Sequence, residues 1–338
     1  MRLFHVKRPP GGIFIMKKHT GLWLVFTVAL ALLVSACGTK QSSASGKDAK
    51  VKVGILQLMD QSALDQARKG FIAELKKEGY TQGKNLTIDY VNAQNDQANL
   101  KSMSEKLAKD KNTVNVAIAT PAAQALLQAD KDTPQLFTAI TDPVSAGLTT
   151  SMQKPSGNVS GTSDMVPVAG QIKLLHQLFP KAKKVGLLYN AAEPNSVYAI
   201  KLAKAAIKKL GLQSVAKTVA TTADVQQTTT ALASQVDAIY IPADNVLTAA
   251  MATVGKVSEE KKVPVIPATG PMVKLGGVAT NGIDYTKLGA QTAQMAVKII
   301  KGKKVTDLPV ETPKDVSLVV NDQFAKLFNV DPAKIVNK

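Results

Sequence analysis

The sequence predicts an α/β protein of two similar lobes, each a parallel sheet with helices on both faces, and a ligand cleft between them. Three observations lead there. From Val51 onward, short apolar runs alternate with longer stretches of helical periodicity, the pattern of strand–helix–strand units in a parallel sheet. The series then repeats itself in the second half of the chain, which points to two copies of one architecture. The chain beyond residue 36 also exceeds the length at which a single core usually divides.

The elements follow in order. VKVGILQL (51–58) reads as a buried strand, and Asp65 to Lys77 places Ala67, Phe71 and Leu75 at helical spacing before stopping at Gly79. NLTIDYV alternates as a strand, and Leu100 to Lys109 is helical with Met103 and Leu107 on one face. VNVAIAT is a strand, PAAQALLQA a helix and PQLFTAI a strand. KKVGLLYN (183–190) then echoes VKVGILQL, and the helix at 198–210 ends at Gly211 as the first ended at Gly79. VDAIYIPADN (236–245) echoes VNVAIATPAA (114–123), and KVPVIPATGPMV (262–273) echoes TPQLFTAITDPV (133–144). Asn158 to Asp164 reads as a first crossing between lobes and GGVATNGIDY (276–285) as a second. Tyr285 to Lys301 is an amphipathic helix with Leu288, Met295, Ala296 and Ile299 on one face, ended by Gly302. VSLVV (316–320) is a last strand. Lobe one is thus expected at 51–161 plus 285–310, and lobe two at 162–284 plus 311–338.

Ahead of the lobes, Lys17 and Lys18 precede an uncharged run from Gly21 to Val34 and the small residues before Cys37. A basic head, an apolar middle and small residues before a cut mark a secretory signal peptide, here residues 1–36. The run is short for a spanning helix, which needs about 20 apolar residues. Residues 1–15 fit neither pattern, and Met16 reads as the true start. Val34-Ser35-Ala36-Cys37 resembles a bacterial lipobox, in which the cysteine is acylated and becomes the first mature residue. Cys37 is the only cysteine, so the core carries stability without a disulfide. Residues 37–50 are a polar tether. The net charge of +17 falls to +12 once the five leader cations are removed. The remaining lysines are spread along helices, and Arg68 is the only arginine after cleavage. That argues against nucleic acid, for which arginine is the usual reader, and for a solvated surface facing an anionic envelope.

In open parallel sheets ligands bind at the carboxyl ends of the strands, so the residues there are the candidates. Thr120, Ala122 and Ala123 open a helix whose amides make an anion site, with Thr120 as either cap or ligand contact. Thr141 and Asp142 follow PQLFTAI, where Asp-Pro is also an ordinary turn. Asn190, Glu193, Asn195 and Ser196 follow GLLY. Asp244 and Asn245 follow DAIYIP, and Asp284 precedes the long helix at 285. Each of these two aspartates is either an N-cap or a partner for a bound ammonium. Leu58 and Met59 follow the first strand and either touch an apolar ligand group or pack in the core. An anion site in one lobe and carboxylates in the other suit a zwitterion, and a free amino acid fits. No metal-ligand spacing, P-loop, GxGxxG or GxSxG is present, and His176, the only histidine after cleavage, lies on an apolar helix face. Neither an enzyme nor a cofactor is expected.

The stretches ATPAAQAL, FTAITDPVSAGL, GNVSGTSD, YNAAEPNS, IPADN and ATNGIDYTKLGAQTAQMAVKIIKGK are together similar to the tryptophan/aromatic amino-acid binding lipoproteins of ABC transporters. The resemblance covers roughly 51–335 and implies the type I periplasmic-binding-protein fold: two Rossmann-like lobes joined by three crossing strands. It implies that Thr120, Ala122 and Ala123 hold a carboxylate beside Thr141. It places Asp244 first and Asp164 second for the ammonium, with Glu193, Asn195, Ser196 and Asn245 on the other wall. It further implies a lipid-anchored, monomeric receptor on the extracytoplasmic face that delivers an amino acid to membrane permease subunits. Another small solute, such as a branched-chain amino acid, nucleoside, sugar or peptide, is the alternative, followed by a surface enzyme or sensor.

Overall fold

The computed structural model describes residues 50–331. The expected signal peptide, with Met16 as its expected start, the expected lipobox with Cys37 and the expected tether up to residue 49 lie outside the described residues, as do residues 332–338.

In lobe one, β1 (Val51–Gln57), β2 (Leu86–Asn92), β3 (Val114–Ile118), β4 (Gln135–Ile140) and β5 (Val159–Ser163) form a parallel sheet in the order β2-β1-β3-β4-β5. The central strands β3 and β4 are buried along their whole length, as strands covered on both faces must be. The helices α1 (Ser62–Lys77), α2 (Gln97–Lys109) and α3 (Thr120–Ala129) connect them. Most of the segment expected to be the first crossing is instead the edge strand β5, since its backbone pairs with β4. The chain leaves the lobe just afterwards, at 164–167.

Lobe two begins with α4 (Val168–Leu178), β6 (Lys184–Asn190), α5 (Pro194–Lys209) and β7 (Gln213–Val219). It continues through α6 (Val225–Ala233), β8 (Ala238–Ile241), α7 (Asn245–Ala249), α8 (Met251–Lys261), β9 (Val265–Pro267) and α9 (Gly270–Gly276). Its parallel sheet has the order β7-β6-β8-β9. β10 (Ala279–Gly282) pairs antiparallel with β11 (Ser317–Val320).

After β10 the chain returns to lobe one as α10 (Tyr285–Ile300), whose apolar face joins the lobe-one core beside Phe71 and Leu75. Two glycines set the approach of α1 and α10. A Cβ on Gly70 would fall 2.0 Å from Thr286 O, and one on Gly289 would fall 1.9 Å from Ala67 O. The third crossing starts where Glu311 lies beside β5, with the Ser163 amide donating to Glu311 O at 2.9 Å. The last described helix, α11 (Asp322–Leu327), lies in lobe two, where Phe324 is buried. Each lobe has its own apolar core, and among the described residues no helix is long and apolar enough to cross a membrane.

Candidate ligand site between the lobes

The carboxyl ends of both sheets face each other across the cleft. At the end of β3, Ala119 has φ 84° and ψ 153°, and α3 begins at Thr120 with Pro121 as its second residue. Ala119, not Thr120, therefore occupies the cap position, and Thr120 is a buried first helical residue. The Ala123 amide is not free, because it donates to Ala119 O at 3.0 Å. The first amides of a helix have no intrahelical acceptor, and Pro121 has none to offer, so Thr120 and Ala122 supply the open donors. Ala139 also has positive φ, 57°. Such strain in non-glycine residues concentrates at functional sites, and here both residues sit where lobe one meets the cleft.

The cleft encloses a cavity in two connected parts that share Thr141, Asp164, Ala243, Thr269 and Tyr285. One part, about 360 Å³, is walled by Met165, Val166, Val168, Ala199, Ala268 and Ile283. At its end the Tyr240 hydroxyl donates to Gln171 Oε1 at 2.8 Å, while Gln171 Nε2 donates to Ala268 O at 2.9 Å, so this polar pair is already satisfied. The other part, about 320 Å³, is lined by Gln61, Thr120, Asn195, Asn245 and Thr248, among others.

Three of the lining residues carry a buried polar atom with no protein partner: Asp164 Oδ1, Asn195 Oδ1 and Thr269 Oγ1. Buried polar atoms are nearly always paired, so this cluster marks where a ligand's donors belong. The Tyr285 hydroxyl donates to Asp164 Oδ2 at 2.8 Å. Burial pushes the carboxyl above the usual range, while the Tyr285 hydroxyl, the Thr141 side chain and the backbone amide of Asp164 itself pull it back.

A second buried network lies beneath the lobe-two wall. Asp244 caps α7, with Oδ1 accepting from the Leu247 amide at 3.0 Å. Its Oδ2 accepts from the Asn190 amide at 2.6 Å and the Ser196 hydroxyl at 2.7 Å. Glu193 Oε2 accepts from Asn245 Nδ2 at 2.7 Å and Asn195 Nδ2 at 3.1 Å, and the Asn245 and Val246 amides also point at the carboxylate. Burial first, and then the nearby Asp244 charge, push Glu193 up to about 8.

Thr120, Thr141, Asp164, Asn195 and Asn245 are brought together around the cavity. The other sequence candidates do not line it. Asp244, ranked first for an ammonium, has both oxygens committed to protein donors, and Asp164 is the carboxylate with a free one. Asn190, Glu193 and Ser196 serve the network behind the wall. Ala122 and Ala123 are buried in the lobe-one core, as is Leu58, and Met59 packs against that core. Asp142 caps its own turn, accepting from the Ser145 amide at 2.6 Å, and Asp284 is an exposed cap of α10. Gln61, Thr269 and Tyr285 were missed, although they fall within a few residues after β1, β9 and β10, which was a usable signal. Gln171 and Tyr240 follow no such pattern.

The lobes touch across the cleft. Gln61, whose Oε1 caps α1 through the Ala63 amide, donates from Nε2 to Asn245 Oδ1 at 3.3 Å. The Asp142 carboxylate of lobe one raises the Tyr198 phenol of lobe two through their hydrogen-bonding interaction. Two α/β lobes, three crossings and a cavity at facing strand ends are the architecture of a solute-binding protein.

The chain belongs to the ABC transporter substrate-binding protein family, whose model matches residues 52–336. A tyrosine-binding protein of Clostridioides difficile is 38% identical over 320 residues, 93% of each chain. An ABC domain from Streptococcus pneumonia, solved in complex with L-Trp, is 36% identical, with a TM-score of 0.82 over 86% of this chain and 98% of that one. A substrate-binding protein with adhesive properties from Clostridium difficile, solved ligand-free and open, is 42% identical over 83% of this chain and 95% of that one, yet its TM-score is 0.66. The better overlap with the ligand-bound relative agrees with lobes that meet across the cleft.

Proposed function

We propose that the protein is the extracytoplasmic receptor of an ABC importer and binds a free aromatic amino acid, tyrosine or tryptophan, in the closed cleft. The observation that carries this reading is the cluster of unpartnered buried acceptors at the polar end of a cavity whose other end is apolar. Asp164 Oδ1, Asn195 Oδ1 and Thr269 Oγ1 receive the ammonium. Thr120, at the start of α3, and the α3 dipole receive the carboxylate. The side chain enters the part walled by Met165, Val166, Val168 and Ile283. The ligands named for the relatives, tyrosine and L-Trp, support an aromatic side chain.

The activity is binding without turnover. Closure about the three crossings presents a surface for the membrane permease, and acylated Cys37 holds the receptor at the membrane. A thermal-shift panel of amino acids, nucleosides and sugars tests the ligand class, since a ligand at 100 times its Kd adds about 2.7 kcal/mol. Shifts confined to tyrosine, tryptophan and phenylalanine are expected. Shifts only with nucleosides or sugars would overturn the assignment. For the anchor, Cys37→Ser should move the protein to the soluble fraction, and retention in the membrane would contradict acylation.

A further inference from the structure

Glu193 is buried, 3% exposed, and does not line the cavity, yet it touches two residues that do. Its carboxylate meets four donors: the Asn245 and Val246 amides and the side-chain NH2 groups of Asn195 and Asn245. The donors that converge on it suit the ionised carboxylate, which accepts and never donates, and in that form each asparagine turns its nitrogen inward and its carbonyl oxygen away. The two freed oxygens do different things. Asn195 Oδ1 has no protein partner and belongs to a residue that lines the cavity. Asn245 Oδ1 accepts from Gln61 Nε2 of the other lobe.

We propose that Glu193 is a positioning residue, which sets one asparagine carbonyl toward the ligand's ammonium and the other toward the lobe-one residue that closes the cleft. This rests on the amino-acid reading of the site. Asn195 Nδ2 also donates to Ala243 O at 2.9 Å, which reinforces the same orientation. An amide in place of the carboxylate breaks the arrangement in either rotamer. With its oxygen on the α7 amides, its NH2 faces the Asn195 and Asn245 nitrogens. Turned over, it sets NH2 against the α7 amides. The ligand's amine is the group that feels the change, because the carboxylate and ring sites are built from other residues.

The test is the affinity ratio between an amino acid and its analogue lacking the amine: tyrosine against hydroxyphenylpropionate, and tryptophan against indolepropionate. It is read by calorimetry at pH 8.5, above the value of about 8 to which Glu193 is raised. Glu193→Gln and Asn195→Ala are each expected to cut the wild-type preference for the amine by about tenfold, the scale of one hydrogen bond to a charged group. The double variant is expected to lose no more than either alone, since both act at one oxygen. A simple packing defect would weaken both ligands alike and leave the ratio unchanged. An unchanged ratio in Asn195→Ala, or additive losses in the double variant, overturns the proposal, and the first result does so even if Glu193→Gln fails to fold. Absence of aromatic amino-acid binding by the wild type would instead overturn the reading of the site itself.

Discussion

Replacing Asp164 with asparagine separates the ammonium site from everything around it. In the wild type, Oδ2 is held by the Tyr285 hydroxyl at 2.8 Å and Oδ1 has no partner. An asparagine must give its oxygen to the Tyr285 proton, which leaves its NH2 where the free oxygen was. The variant thus loses a charge and aims a donor at the ligand's own donors. Breaking one side of a buried charged pair costs about 2–5 kcal/mol. The cost of ionising a carboxyl raised by burial comes off that gain, so the lower end applies, about 2–3 kcal/mol or about 30- to 150-fold in Kd. Calorimetric titration with tyrosine and tryptophan reads it, with the analogues lacking the amine as controls that should bind no worse. Trp23 is the only tryptophan of the sequence, so in protein prepared without residues 1–36 ligand tryptophan fluorescence gives an independent curve. Wild-type affinity should also fall as pH drops through the raised Asp164 value, and this dependence should be absent from the variant. Amino-acid binding at wild-type strength in Asp164→Asn would refute the reasoning.

Asp244→Asn should act on stability, because the carboxylate caps α7 and accepts three protein donors. We expect a loss of about 1–3 kcal/mol by urea unfolding, with the preference for the amine intact, and a selective loss of that preference would contradict the assignment. Glu193 predicts a pH-dependent stability. Folded, it keeps its proton up to about 8, whereas unfolded it loses it near 4.3. The folded state therefore binds more protons across that window, and stability is full below it and falls as pH rises through it, at most about 1.4 kcal/mol per unit. Unfolding at pH 5, 6.5 and 8 should show this slope in the wild type and a flatter one in Glu193→Gln, and equal slopes would contradict it. Gly289→Ala drives a Cβ into the α1 backbone at Ala67. It should destabilise by about 1–3 kcal/mol or more, lowering Tm by several degrees, and an unchanged Tm would show that α1 and α10 separate easily.

Much of the fold was legible because its signals are local. Apolar runs at 51–58, 114–118 and 135–140 became central strands, and the echo between lobes survived as two parallel sheets. The edge strand β5 was not legible, since NVSGTSD is too polar and glycine-rich to read as a strand and its pairing with β4 is a long-range event. The site was legible by address more than by role. Reading strand ends named Thr120, Thr141, Asn195 and Asn245, and the family resemblance named Asp164; all five line the cavity. Neither could rank Asp164 above Asp244, because that ranking depends on which oxygens other elements already occupy. Asp244 is filled by donors from β6, α5 and α7, whereas Asp164 keeps Oδ1 unpartnered and takes its Oδ2 bond from Tyr285, 121 residues away in sequence. Gln171 and Tyr240 escaped for the same reason: nothing in a linear pattern says which buried polar side chains face a cavity.

The most direct test of the account is a crystal structure of the protein with tyrosine or tryptophan bound. The account predicts the ligand between the lobes, with its ammonium at hydrogen-bond distance, about 2.7–3.2 Å, from Asp164 Oδ1 and Asn195 Oδ1. Its carboxylate should face the start of α3, and its ring should lie beside Val166, Val168 and Ile283. An ammonium on Asp244, or a ring at the Thr120 end with the charged groups reversed, would contradict it.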